Sequence, residues 1–247
     1  MSRLFADRSD AARLLAQRLA DEHLAGPIVV LALPRGGVPI GAEVARVLGA
    51  PLDLLLVRKI GAPWQPELAV AAVVDGEHPE IVVDEETSSM TGVDRGYIDA
   101  QAQRELREIE RRRRLYLQGR QPPSVTGATV IVVDDGLATG TTARAALKAL
   151  RRRQPARLIL AVPVAPHETV AALRSEVDQL VCLAEPSPFH AIGLHYLDFH
   201  QVSDGEVLAA LRQAQPPTGG AADGAAQAVV DISVEHLGFL FIPSIPL

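Results

Sequence analysis

Apolar residues fall along this chain in two alternating patterns. Short unbroken runs at 28–33, 52–57, 128–133, 157–163 and 179–183 are rich in Val, Ile and Leu with almost no polar interruption. Such runs suit strands covered on both faces, as in a parallel sheet. Between them, 38–48, 141–153 and 167–174 carry apolar positions at helical spacing. Repeated strand and helix with short connections predicts an α/β protein built on a doubly wound, mostly parallel sheet. Ahead of the first strand, Asp7 can cap a helix whose apolar positions are Ala11, Leu14, Leu15 and Leu19.

The alternation is interrupted between Pro63 and Thr126. That insertion is too long for a bare loop. Short strands are expected at Glu67 to Val74 and at Ile81 to Val83. Asp94 to Gln118 contains no proline and sets Ile98, Ala102, Leu106 and Ile109 along one narrow stripe, which predicts a long amphipathic helix. A lid, a dimer arm and a coiled-coil-like partner contact all suit it. Arg111-Arg112-Arg113-Arg114 on that helix follows Glu105, Glu108 and Glu110, the pattern of a solvated helix with internal ion pairs rather than of a nucleic-acid contact.

Composition narrows the class. With 247 residues, 48% of them hydrophobic, the chain can bury one substantial core and an appendage. The lone cysteine, Cys182, excludes a disulfide framework and a cysteine metal site, and its apolar neighbours suggest a buried thiol. There is no basic, then apolar, leader and no apolar run of about 18 residues, so a cytoplasmic protein without a membrane span is expected. The net charge of -6 does not favour nucleic acid.

The chemistry concentrates at Val130 to Thr142. A β-branched strand runs into Asp134-Asp135, then Gly136-Leu137-Ala138-Thr139-Gly140-Thr141-Thr142, and a strong helix follows. Glycines permit close backbone approach, and three threonines add hydroxyls to the free amides of a helix N-terminus. A phosphate fits there without a lysine. Two acids beside it make sense when the ligand also carries neutral hydroxyls or a bound metal, as ribose 5-phosphate does. Neither Gly-Lys-Ser/Thr nor Gly-x-Gly-x-x-Gly follows this strand.

At these residues the chain resembles the type I phosphoribosyltransferases. The resemblance implies their fold, with a helical insertion or lid and a small hood. It assigns Asp134 and Asp135 to the ribose hydroxyls of phosphoribosyl pyrophosphate (PRPP), touching ligand alone, and the loop from Gly136 through Thr142 to the 5-phosphate. Pro34-Arg35-Gly36-Gly37 after the first strand takes the place of the family's pyrophosphate loop, so Arg35, Gly36 and Gly37 are expected there. Arg58-Lys59-Ile60-Gly61 resembles the basic pair that follows the second core strand in adenine and xanthine enzymes. Asp134, Asp135, Arg35 and Lys59 are the residues expected to carry catalysis.

A second candidate lies at 185–199. Phe189, Tyr196 and Phe199 cluster beside His190, His195 and Asp198 in a chain that is only 4% aromatic, which suits a stacked planar ligand. The segment resembles the hood of the hypoxanthine-guanine enzymes, and on that basis Phe189, Ile192 and Asp198 are expected to hold the base. The other reading is a surface loop whose aromatics pack on the sheet edge. The histidine spacing does not suggest zinc, and no protein metal site is assigned.

The expected organisation is therefore a phosphoribosyltransferase domain over 1–213, with the insertion at 63–126 and the hood at 184–202. A linker and an apolar tail over 214–247 have no assigned role. The implied reaction moves the phosphoribosyl group of PRPP to a nitrogen base with release of pyrophosphate, as part of nucleotide metabolism. Mg2+ would be bound mainly through PRPP oxygens and water, and the protein would be a homodimer. Ala138 stands where the hypoxanthine-guanine enzymes have a third acid, so no general base is named. A non-catalytic PRPP-binding regulator on the same fold and phosphotransfer or hydrolysis on another sugar phosphate remain as alternatives.

Overall fold

In the computed structural model, residues 4–76, 79–117 and 119–214 are described. The linker and tail expected beyond Ala214 lie outside them. Asp7 caps α1 (Arg8–Ala20), its carboxylate accepting from the Asp10 amide at 2.8 Å. The helix buries Ala11, Ala12, Leu15, Ala16 and Leu19, whereas Leu14, expected on that face, is 42% exposed. The two additional alanines let α1 lie close against the next helix, and this swings the buried face away from Leu14.

Five strands form one parallel sheet in the order β2-β1-β6-β7-β8. They are β1 (Ile28–Ala32), β2 (Leu52–Leu54), β6 (Thr129–Val133), β7 (Arg157–Val164) and β8 (Gln179–Ala184). Alternate residues feed two cores, as a pleated strand requires. Val30, Ala32, Ile131, Val133, Ile159 and Ala161 point one way, toward α1 and α2 (Gly37–Leu48). Val29, Leu31, Val130, Val132, Leu158 and Leu160 point the other way, toward α5 (Thr141–Arg152) and α6 (His167–Leu173). The doubly wound architecture read from the strand pattern is therefore present. β8 brings Cys182 to a half-buried position where its thiol donates to the Ala184 carbonyl, and burial pushes the thiol up to about 11.

The expected strand at 52–57 is in fact divided. Only Leu52–Leu54 joins the parallel sheet. The chain then crosses through buried Leu55 and Leu56 into a separate antiparallel sheet, ordered β3 (Val57–Ala62), β4 (Gln65–Val74) and β5 (Glu80–Val83). Arg58 and Lys59 consequently lie within a strand, not in a loop after one. Strand β4 alternates from Ala71 to Val74, with Ala71 and Val73 in one core and Ala72 and Val74 in the other, while Val70, at the register shift opposite Ile60 and Gly61, joins the first core.

After α3 (Glu85–Thr91), the predicted long helix is α4 (Arg95–Leu117). Its stripe of Ile98, Ala102 and Ile109 is buried, with Leu106 packed beside it, in the same core as Ile60, Ala62 and Val70 of the antiparallel sheet. The chain's own sheet covers this stripe, which removes the coiled-coil reading. The basic run behaves as expected in part, with Arg111 and Arg112 paired to Glu108 and Arg114 to Glu110. A last helix, α7 (Asp204–Gln213), starts at a capping box between Ser203 and Glu206. No described helix is long and apolar enough to cross a membrane.

The burial pattern sets a direct stability test. Leu147 of α5 is fully buried, so Leu147→Ala should cost about 2–5 kcal/mol in urea denaturation. Leu14→Ala, on the outward face, should stay within about 0.5 kcal/mol. Equal losses would contradict the assignment of faces.

Candidate active site

The end of β6 delivers the acids and the phosphate loop together. Leu137 anchors the loop from below: it is buried among the α5 and α6 residues, and its amide donates to the Val164 carbonyl at 2.9 Å. Thr169 of α6 fixes the next residue by donating from its hydroxyl to the Ala138 carbonyl at 2.6 Å. Gly140 then takes φ +71°, and a Cβ there would come within 2.8 Å of Thr169 Cγ2 and 2.9 Å of Leu173 Cδ1. Only glycine satisfies both the backbone and the space. As N-cap of α5, Gly140 supplies no side-chain acceptor, so the first amides of the helix remain available to an anion. Exposed Thr139 and Thr141 share a hydrogen bond at 3.1 Å beside them.

The turn after β1 closes directly onto the acids. Leu33 donates to the Val133 carbonyl at 2.9 Å. A Cβ on Gly37 would lie 2.6 Å from that same carbonyl and 2.9 Å from Asp134 Cα, and any side chain on Gly36 would overlap the Asp135 carboxylate. The glycines thus let two strand ends meet, which supports the convergence expected from Arg35-Gly36-Gly37.

Asp134 and Asp135 are not equivalent. Among the described residues Asp134 accepts only from the Asp135 amide, at 2.9 Å, and its carboxyl is pushed well above the usual range, first by burial and then by the neighbouring Asp135. Asp135 is also raised by burial, but Arg8 opposes the rise. Arg8 Nε and Nη2 both reach Asp135 Oδ2 at 2.8 Å. The expectation that this pair touches ligand alone therefore fails for Asp135.

Beside the loop is a cleft of about 520 Å³, bordered by Pro34, Arg58, Lys59, Tyr97, Arg112 and Thr142 among others. Arg58 pairs with Glu105 at 2.7 Å, and Arg112 with Glu108 at 2.8 Å. The structure brings Arg58, Lys59 and Thr142 to one cleft, as expected. It directs Arg35 elsewhere, to Asp204 of α7 at 3.5 Å, where the Tyr116 hydroxyl also donates. Arg112, read from sequence as part of a solvated face, is a cleft residue.

The hood lies over the other side of the loop. A Cβ on Gly136 would approach Ile192 Cγ2 to 2.6 Å, so Ile192 rests on the phosphate loop itself. Phe189 stacks on His195 with centroids 5.1 Å apart, while exposed Asp198 pairs with His200 at 3.2 Å. Tyr196 donates from its hydroxyl to the Asp135 carbonyl at 2.6 Å, and burial raises its phenol. Sequence reasoning missed Arg8 and Asp204, and it named Tyr196 only as one of the hood aromatics, not as the donor to Asp135. Arg8 carried no clear local signal, since Asp7 and Asp10 in the same first turn already answer its charge against the helix dipole.

A model of the phosphoribosyl transferase domain matches residues 6–198, a span that includes Arg8, both glycine turns, the acids and most of the hood. The chain belongs to the phosphoribosyl transferase family. A Mycobacterium tuberculosis protein provisionally named a phosphoribosyl transferase, present in two strains, is 46% identical over 213 residues. That match takes in 86% of this chain but 47% of the relative, so the chain spans about half the length of the curated relatives it matches. A Thermus thermophilus protein of known crystal structure is 42% identical with a TM-score of 0.71, over 84% of this chain and 97% of that one. Family membership places the expected fold class on firm ground and bears on no individual side chain.

The unequal acids give a prediction of opposite signs. A carboxyl with a raised folded pKa loses stability as pH climbs past its unfolded value, near 4, until the folded pKa is passed. Asp134→Asn should therefore raise the melting temperature of the ligand-free protein at pH 8, with the gain shrinking toward pH 4. Asp135→Asn should lower it, because Arg8 is left buried without its partner, at a cost of about 3 kcal/mol. Thermal melts across pH check both, and a destabilised Asp134→Asn at pH 8 would contradict the raised carboxyl.

Proposed function

We propose that the protein transfers the 5-phosphoribosyl group of PRPP to a nitrogen base and releases pyrophosphate. One observation carries the reading. The acid pair, the uncapped N-terminus of α5 and a basic cleft share a single rim at the carboxyl ends of β1 and β6, where open α/β sheets bind ligands. In this reading the loop from Gly136 to Thr142 holds the 5-phosphate, while Asp134 and Asp135 accept from the ribose hydroxyls. Arg58 and Lys59 face the pyrophosphate with Gly36 and Gly37, and Arg35 joins them on leaving Asp204. Their charge offsets what accumulates on the departing group, so catalysis is mainly positioning and electrostatics.

Mg2+ enters as part of the substrate complex. Among the described residues no group of three or more His, Cys, Asp or Glu side chains is placed to hold a metal. In this reading the ion would be carried mainly by PRPP oxygens and water, where it would neutralise diphosphate charge. Phe189, Ile192 and Asp198 form the acceptor side, with the Phe189–His195 stack offering an aromatic surface. A cytoplasmic homodimer working in nucleotide metabolism is the setting this reading assigns.

Incubation of purine and pyrimidine bases with PRPP and Mg2+ should give pyrophosphate release with at least one base. PRPP binding with no turnover on any base would replace the enzyme with a PRPP-responsive regulator. Calorimetry should show that Asp134→Asn loses PRPP affinity by tenfold or more, since a neutral amide cannot accept as strongly as a carboxylate. Phe189→Ala should raise the acceptor KM about tenfold and leave PRPP affinity unchanged, because stacking is worth on the order of 1 kcal/mol beyond area burial. Loss of PRPP affinity in Phe189→Ala would remove it from the acceptor side.

A further inference from the structure

Arg8 joins the N-terminal helix, the acid pair and the hood. It is 8% exposed. Two of its nitrogens meet Asp135 Oδ2, Nη1 donates to the His200 carbonyl at 2.8 Å, and the guanidinium carbon lies 3.9 Å from the centroid of the Phe199 ring. Phe199 packs in turn against Tyr196, with ring centroids 4.9 Å apart, and the Tyr196 hydroxyl holds the Asp135 carbonyl. Asp135 is thus gripped at its side chain and at its backbone by one connected assembly. A Cβ on Gly36 would fall 2.0 Å from the same oxygen that Arg8 holds, so only glycine leaves that oxygen room. Apart from its own amide, no described residue other than Arg8 donates to the Asp135 carboxylate, and Oδ1 is not a buried orphan.

We propose that Arg8 is a positioning residue: it fixes Asp135 as an oriented carboxylate whose Oδ1 is presented to a ribose hydroxyl, and it ties that orientation to the seat of the hood. A guanidinium is suited to this role because its planar fork stays charged and can serve the carboxylate, a carbonyl and an aromatic face at once. The proposal rests on the PRPP reading above. It assigns no proton transfer to Arg8, which acts only through Asp135.

The groups facing Asp135 are few. Asp134 stands beside it on the strand end, Arg8 comes from α1, and the Tyr196 phenol comes from the hood. The β1–α2 turn presents uncharged Gly36, while Arg35 is held at Asp204. Burial raises the Asp135 carboxyl, and Arg8 is the cation that opposes that rise. Without it the Asp135 carboxyl rises further, and a ligand that needs the anion loses affinity at a higher pH on acidification.

The test compares Arg8→Gln, Arg8→Lys and Phe199→Leu by calorimetric titration with Mg2+ and PRPP from pH 5 to pH 9, with melts run in parallel. Arg8→Gln should weaken PRPP binding at pH 7 by tenfold or more and move the acidic fall-off in affinity upward relative to the parent. Arg8→Lys should restore most of both, and it keeps the question open to measurement should Arg8→Gln fail to fold. Phe199→Leu removes the ring under the guanidinium but leaves the ion pair, so it should lower the melting temperature without moving the fall-off. An unshifted profile in Arg8→Gln or Arg8→Lys equal to it in both readouts would overturn the positioning role, as would a Phe199→Leu profile shifted like Arg8→Gln. If the parent binds PRPP and Arg8→Gln matches it, only this inference falls. If the parent does not bind PRPP, the functional reading falls with it.

Discussion

Two adjacent carboxylates withdrawn from water beside one guanidinium form the constraint on which this structure turns. Placing acids there costs several kcal/mol per ion before compensation. Arg8 offsets that cost for Asp135 alone, and Asp134 is left with a single backbone donor. The surroundings hold the arrangement in place: glycines where any side chain would collide with an acid, a tyrosine on the Asp135 carbonyl, and a loop pinned by Thr169. Local stability has been given up at a position where a hydroxyl-rich anion would recover it, which is the usual location of such strain.

The same logic extends across the cleft. Arg58 is held by Glu105, Arg112 by Glu108 and Arg35 by Asp204, so each of these arginines rests against a carboxylate from α4 or α7. All three pairs are partly solvated and individually weak. A polyanion entering the cleft would meet Arg58 and Arg112, each held only by a weak, partly solvated pair. Helix α4 is thus more than a cover on the antiparallel sheet, because its inner stripe holds the sheet and the adjoining face supplies the carboxylates.

The parts of the site that were readable in sequence are those made by neighbours in sequence. Strand, acids, glycine loop and helix N-terminus follow one another from Val130 to Thr142, and the doubly wound sheet follows from runs that each declare their own burial. Arg8 and Asp135 are 127 positions apart, so nothing local could pair them. The division at 52–57 was hidden because Leu55 and Leu56 are buried in the crossing as deeply as in a strand, which makes strand and crossing look alike. Arg112 could not be separated from its three neighbours by charge alone, since only the rotation of α4 against the sheet turns one of the four toward the cleft. Helix α7 was legible in principle from Ser203 and Glu206, a capping box that precedes an apolar run.

The ribose clamp is the central claim, and its most direct measurement is the calorimetric affinity of the ligand-free protein for ribose 5-phosphate against 2-deoxyribose 5-phosphate. The two share the phosphate and differ by one hydroxyl that Asp134 or Asp135 would accept. The account predicts binding of the ribose compound about tenfold tighter, the worth of one hydrogen bond to a charged group. Equal affinities would mean that the acids do not read the sugar, and the site would then be a phosphate loop without a clamp.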